Sequence, residues 1–316
     1  MKIVLLEPLA VKDDLIDSLA RPFVEAGHSF TAYKDRGDLA TQKERVREAD
    51  VIMLANMPLP AEVINAAANL KFIDVAFTGV DHVDLDAAKA KGAAVSNASG
   101  YSTNAVAELS LALMLSLLRN VPQVDKRCRE GKTKDGLVGC ELRGKTVGII
   151  GFGAIGRKTA ELCRAFGAGI MAHSRSLNQQ KAGDGVTSSS LEELLQKADL
   201  VSLHCPLTPE TKGLINRERL AMMKPSAYLI NAARGPVVDS QALAEALNND
   251  RLAGAGIDVF EVEPPIETTH PLIGAKNTIL TPHVAFATAE SLEERAAIVF
   301  DSLQKWIDGR QVNIII

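Results

Sequence analysis

Cysteine is scarce: the 316 residues hold only Cys128, Cys140, Cys163 and Cys205, and no two of them stand at a CxxC or metal-ligand spacing. The set therefore supports no metal site and implies reduced thiols in a cytoplasmic protein. A basic excess is missing as well. The net charge is −4, from 35 Lys and Arg against 39 Asp and Glu, which argues against nucleic acid as a partner. Long apolar runs are also absent. Ile3-Val4-Leu5-Leu6 stops at Glu7, too short for a signal sequence, and Leu109 to Leu118 covers half a membrane span, so no membrane partner is expected. With 47% hydrophobic and 23% charged residues, the composition is that of a soluble globular protein, and the length favours two domains over one.

What the chain does carry is the stretch Lys145 to Gly156, KTVGIIGFGAIG. The apolar run Thr146 to Ile150 reads as a strand, Gly151-Phe152-Gly153-Ala154-Ile155-Gly156 as a glycine turn, and Arg157 to Phe166 as a helix. Glycine permits the tight turn at Gly151, the approach of a pyrophosphate at Gly153, and the close packing of helix on strand at Gly156. The helix N-terminus then offers free N–H groups to the phosphates. A small-residue packing motif is the competing explanation, and the order strand, glycines, helix favours a dinucleotide.

Strands alternate with helices on both sides of this turn. Residues 2–6, 29–33, 51–54 and 72–76 read as strands and 15–26 and 61–68 as helices, an α/β half in its own right. Its parallel sheet would gather ligands at the loops Ala55-Asn56-Met57-Pro58 and Phe77 to His82. The apolar helix 102–118 must be buried, either between domains or in a subunit interface. Residues 126–139 read as a polar surface connection. Strands at 169–172, 200–204, 227–230, 255–259 and 278–280, with helices at 191–197 and 240–247, complete a doubly wound sheet, and the amphipathic helix 289–308 returns to the first domain.

Arg234, Glu263 and His283 stand at the ends of late strands of this sheet, on the side where ligands bind. Singly, each has a plain structural explanation: a surface ion pair, a solvated loop acid, a turn-capping imidazole. Together they suit reduction of a 2-keto acid. A guanidinium holds a carboxylate and polarises a carbonyl, a carboxylate-paired histidine delivers a proton near neutral pH, and a nicotinamide supplies hydride.

With these residues in place the chain resembles the D-2-hydroxyacid dehydrogenases. The likeness runs through Thr78-Gly79-Val80-Asp81-His82-Val83-Asp84, Ala105-Val106-Ala107-Glu108, the loop 151–156, His204-Cys205-Pro206-Leu207-Thr208, Asn231-Ala232-Ala233-Arg234-Gly235, Asp258-Val259-Phe260 and Pro282-His283. It implies a doubly wound Rossmann domain with a smaller flavodoxin-like α/β substrate domain, the former at 100–287 and the latter at 1–99 with 288–316, and a homodimer built through the cofactor domains. It implies that Arg234 binds substrate and cofactor, Glu263 orients His283, and His283 is the acid/base. Thr78 and Gly79 would hold the substrate carboxylate by their amides, beside Phe77. Gly151, Gly153, Ala154, Ile155 and Gly156 would meet the cofactor, with Cys205, Pro206, Ala232, Asp258 and Ala285, and Asp258 would take the nicotinamide carboxamide. Phe77 and Ala285 stand where smaller residues are common in the family. A D-3-phosphoglycerate dehydrogenase and a dinucleotide-sensing corepressor are the alternatives. The uncharged run Leu54 to Leu59 points to a small unphosphorylated acid such as glyoxylate or hydroxypyruvate.

Cofactor choice is read from the end of the second strand of that domain. An NAD site places an acid there. Here Ser174 stands 18 positions after Gly156, followed by Arg175 and Ser176, all able to bind a 2′-phosphate. NADP is therefore expected in preference, with NAD possible and Asp184 a distant substitute for the acid.

Overall fold

Short runs of Val, Ile and Leu make both sheets of this protein, because such runs can be buried on both faces only when helices cover a parallel sheet. The computed structural model describes residues 1–175, 177, 183, 185–262 and 265–316. It divides into two compact units, residues 1–102 with 287–316, and residues 103–286.

In the first unit β1 (Lys2–Leu5), β2 (Ser29–Ala32), β3 (Val51–Leu54), β4 (Phe72–Val75) and β5 (Ala94–Asn97) are crossed over by α1 (Asp13–Glu25), α2 (Leu39–Val46), α3 (Ala61–Ala66) and α4 (Leu85–Ala90). The strand order is β2-β1-β3-β4-β5 and every pairing is parallel, the flavodoxin-like order. β3 and β4 are buried along their whole length, whereas β2 alternates at the edge. All five C-terminal strand ends therefore lie on one edge of the sheet. The last helix, here α11 (Ala289–Ile307), closes the core. Its start is fixed by a capping box between Thr288 and Ser291. Phe300 packs on Phe23 and Phe30, and Trp306 stacks on Phe72 at 4.6 Å and 4°.

The second unit holds α5 (Thr103–Leu118), α6 (Val121–Arg129), β6 (Thr146–Ile150), α7 (Ala154–Ala165), β7 (Gly169–His173), β8 (Val186–Ser188), α8 (Leu191–Lys197), β9 (Leu200–Leu203), α9 (Arg217–Met222), β10 (Tyr228–Asn231), α10 (Ser240–Asn248), β11 (Gly254–Ile257) and β12 (Thr278–Leu280). The sheet order is β12-β11-β10-β9-β6-β7-β8, a Rossmann order with one strand added beyond β11. The order reverses between β6 and β9, so the crevice for a ligand opens at their C-terminal ends.

Several elements differ from the sequence reading. α2, α4, β5, β8 and α9 are short and lack a strong apolar period. α6 extends to Arg129 through a stretch expected to be loop, and it buries no residue. The apolar α5 was expected between domains or subunits. Within the second unit it packs on α7 and on the β10–β12 side of the sheet, where glycines make room. A Cβ on Gly256 would stand 3.0 Å from Leu113 Cβ, and one on Gly254 3.3 Å from Leu117. No single helix among the described residues is long and apolar enough to cross a membrane.

Candidate active site

In the second unit the glycine turn lies at the reversal of strand order. Gly151 has φ +94, a region that side chains disfavour. A Cβ there would come 2.5 Å from Cys205 N, and one on Gly156 would come 2.1 Å from Gly151 O. A Cβ on Gly153, by contrast, would meet nothing within 4 Å. That open side is where a ligand can approach the backbone. Side chains cap α8, α9 and α10, through Ser190, Asn216 and Asp239, but none caps α7. Its first N–H groups, from Ala154 and Ile155 onward, are thus left for an anion. These are the features a dinucleotide pyrophosphate requires, and the residues fit that group.

Across the reversal, His204 donates its backbone N–H to Ile150 O at 2.7 Å, and its Nε2 lies 2.9 Å from Ser202 Oγ. Part of the residue meets solvent, yet Nδ1 is sealed off without a partner. Burial pushes the imidazole down to about 4, so it is neutral at pH 7. The neighbouring Cys205 thiol is pushed up by burial and stays protonated, while Pro206 is exposed.

Arg234 owes its position to Asn231, whose buried amide accepts from Ala233 N at 3.1 Å and donates to Arg234 O at 3.0 Å. Arg234 Nη1 donates to Ala233 O at 2.7 Å, and Ala232 beside them is half-buried. Gly235 presses the loop onto the next strand's exit, since a Cβ there would lie 1.9 Å from Phe260 C.

His283 sits at φ +55, a conformation uncommon outside glycine. Its N–H donates to Asp258 O at 2.7 Å and Thr281 O at 3.0 Å. The fully buried Asp258 carboxylate holds the rest of this turn: Oδ1 accepts from Thr281 Oγ1 at 2.5 Å and Val284 N at 2.9 Å, and Oδ2 from Ala285 N at 2.9 Å. Of about four lone-pair positions on a carboxylate these three bonds leave one, so Asp258 is first a clamp on the His283 turn. Glu263 lies outside the described residues, as do Ser176 and Asp184. Among the described residues a nearby carboxylate–imidazole pair is Glu261 with His270, at 3.0 Å. Burial opposes ionisation of Glu261, but the Ser240 hydroxyl and His270 hold its carboxyl below the usual range.

At the end of β7, Ser174 is half-buried and Arg175 exposed. Glu210 is held below the usual carboxylate range chiefly by the Thr208 hydroxyl, and the charge of Arg175 adds to that effect, so Arg175 has an acidic neighbour.

In the first unit the loops after β3 and β4 run side by side: Leu59 N donates to His82 O, and Asp84 N to Leu59 O. Phe77 is 7% exposed and packs against Tyr101 and His82, leaving little of its ring to a ligand. Asn97 Nδ2 donates to Thr78 O at 2.6 Å. Among the described residues the N–H groups of Thr78 and Gly79 meet no acceptor, and the Thr78 hydroxyl is buried without a partner. Asn97 escaped the sequence reading because a polar residue at a strand end carries no signal of its own.

The profile of the D-isomer specific 2-hydroxyacid dehydrogenase NAD binding domain matches residues 111–285. A hydroxypyruvate reductase of Blautia hydrogenotrophica is 36% identical over 291 residues, 89% of this chain and 90% of that protein. A glyoxylate reductase of Thermofilum pendens is 41% identical over 272 residues, covering 84% of this chain and 80% of its own. The D-3-phosphoglycerate dehydrogenase of Methanocaldococcus jannaschii is 38% identical, but the chain spans only 51% of its length. Among solved structures, an acyclic imino acid reductase in complex with NADPH and D-Arg superposes with a TM-score of 0.90 at 29% identity, both chains covered in full.

Proposed function

The chain belongs to the D-isomer specific 2-hydroxyacid dehydrogenase family, and from that premise we propose that it reduces a small 2-keto acid to the D-2-hydroxy acid, with glyoxylate and hydroxypyruvate as simple substrates. The observation that carries the reading is the unfilled donor set at Thr78 and Gly79, which suits a carboxylate. Asn97 keeps the Thr78 carbonyl turned aside. Arg234 contributes the fork that polarises the carbonyl oxygen, and Asn231 holds its backbone in place. His283 protonates that oxygen during reduction and takes the proton back in the reverse direction, with Glu263 as its orienting carboxylate. Asp258 keeps the imidazole in position through the backbone of its turn. The nicotinamide, when bound, supplies the hydride. Gly151, Gly153 and Gly156 with the first turn of α7 hold its pyrophosphate, and Cys205, Pro206, Ala232, Ala285 and the remaining acceptor position of Asp258 line the rest. Oxidation of the reduced cofactor on adding glyoxylate or hydroxypyruvate tests the reading. A dinucleotide-sensing corepressor would bind the cofactor and show no turnover.

The cofactor reading is a preference for NADPH, through Ser174 and Arg175, in a cytoplasmic homodimer that pairs through the second unit. Val121 at 46% and Val138 at 76% exposure are apolar surface of the kind such pairing covers. Use of NADH as well is favoured by Glu210, whose carboxylate near Arg175 weakens a phosphate site. Arg175→Ala should lower catalytic efficiency with NADPH about tenfold or more while sparing NADH, because a charge-assisted contact is lost. Equal losses with the two cofactors would show that Arg175 does not read the 2′-phosphate.

A further inference from the structure

The run Leu54 to Leu59 carries no cation of its own, but the structure brings one to it. Arg36, from the loop after β2, donates from Nη2 to Asn56 Oδ1 at 2.5 Å and pairs through Nε with Glu7 Oε2 at 2.9 Å. Glu7 follows β1 and is 1% exposed. Its Oε1 accepts from Ala55 N at 2.8 Å and Met57 N at 2.7 Å. The loop bearing Arg36 is tied down in turn. Gln42 Nε2 donates to Arg36 O and Gly37 O, and Arg45 holds Asp35 by its carbonyl and carboxylate. A second cation stands behind the first: Arg295, 3% exposed, donates to Leu9 O at 2.6 Å, and the Glu7 charge acts on it. The Glu7 carboxylate is thus paired with Arg36 and lies within the electrostatic reach of Arg295.

We propose that Arg36 is a specificity-determining residue that binds a second anionic group on the tail of a 2-oxo acid whose own carboxylate lies on the Thr78 and Gly79 amides. The inference rests on the reductase reading above. The loop after β3 lies beside the loop after β4, strands being about 5 Å apart, so Asn56 and Arg36 stand one strand away from the carboxylate donors. Arg36 is 56% exposed, and the two contacts given leave N–H donors of its guanidinium unused. Its fork is held rigid by a buried acid, which lowers the entropic cost of binding. Carboxylate and phosphate share the required chemistry, so substrates bearing each are the two arms of the test.

The test is steady-state kinetics of the full chain with NADPH on glyoxylate, hydroxypyruvate, oxaloacetate and 3-phosphohydroxypyruvate, for wild type, Arg36→Gln and Arg36→Lys. One doubly anionic acid should exceed hydroxypyruvate in kcat/KM by about tenfold or more, the scale of a hydrogen bond to a charged group. Which of the two does so identifies carboxylate or phosphate. In Arg36→Gln that ratio should fall about tenfold, mainly through KM, and Arg36→Lys should retain part of it. A wild type that prefers hydroxypyruvate to both doubly anionic acids overturns the proposal even if no variant folds. So does a ratio unchanged in Arg36→Gln. Turnover of glyoxylate without charge preference would sink this inference alone, whereas no turnover of any acid would sink the reductase reading too.

Discussion

At the scale of the residue, the proposed chemistry rests on a few side chains whose positions are set by neighbours to which it assigns no step. His283 is held by Asp258 and Thr281, and Arg234 by Asn231. His283→Ala should therefore lower kcat by about 10² to 10⁴, the usual contribution of a general acid. NADPH affinity, measured by fluorescence titration, should change far less. Wild-type turnover in the variant would end the assignment of His283 as proton donor. The residues proposed to react stand out in the sequence because arginine and histidine after apolar runs are conspicuous. Their supports were not. Asn97, Asn231 and Thr281 are small polar residues of a kind found in any turn, and Arg36 reaches Glu7 and Asn56 only once β2, β1 and β3 are neighbours. Pairing across strands that are distant in sequence leaves no local trace.

At the scale of the element, the glycine turn separates two roles that one motif combines. Gly156 lies against Gly151 O, so Gly156→Ala must push α7 off β6 and should cost about 1–3 kcal/mol of stability, as overpacking does. Gly153 has no protein atom near its would-be Cβ. Gly153→Ala should therefore melt within a degree or two of wild type, since a surface change of this kind is usually worth less than about 0.5 kcal/mol, yet bind NADPH much more weakly. Calorimetry beside cofactor titration distinguishes them, and a Gly153→Ala protein with wild-type affinity would mean that no pyrophosphate lies there. Strand, turn and helix were readable here because the period of the pattern changes within a dozen residues. α6 was not readable, because it buries nothing and so has no apolar stripe. α5 was read correctly as buried, but its cover could not be named, since that depends on Gly254 and Gly256 more than 130 residues away.

At the scale of the whole molecule, each unit holds a titratable group whose protonation is shifted by burial, Asp74 in the first and His204 in the second, and the two respond to pH in opposite directions. In the first unit Asp74 of β4 is fully buried, with Oδ1 at 3.2 Å from Ser302 Oγ of α11 and Oδ2 without a partner. Burial raises its carboxyl well above the usual range, and the Ser302 hydroxyl only partly offsets this. An unfolded chain loses this proton near pH 3.8, while the folded unit keeps it to a higher value. The folded state therefore binds more protons in that window, and stability falls as pH rises through it. In the second unit the His204 imidazole is depressed from 6.5 to about 4. Below pH 6.5 the unfolded chain gains a proton that the folded unit refuses, so stability falls as pH drops, by about 1–2 kcal/mol at pH 5 once partial exposure is allowed for. Hydrogen exchange resolved by segment should show the two trends, following β4 for one unit and β9 for the other. Trp306, the chain's single tryptophan, stacks on Phe72 of β4, so its fluorescence reports the first unit. Asp74→Asn keeps the shape and cannot ionise. It should raise the first unit's stability at pH 8 relative to wild type and flatten its pH dependence, while the acid sensitivity of β9 remains. If Asp74→Asn left the Trp306 transition at pH 8 unchanged or lowered it, Asp74 would not be a buried, protonated acid.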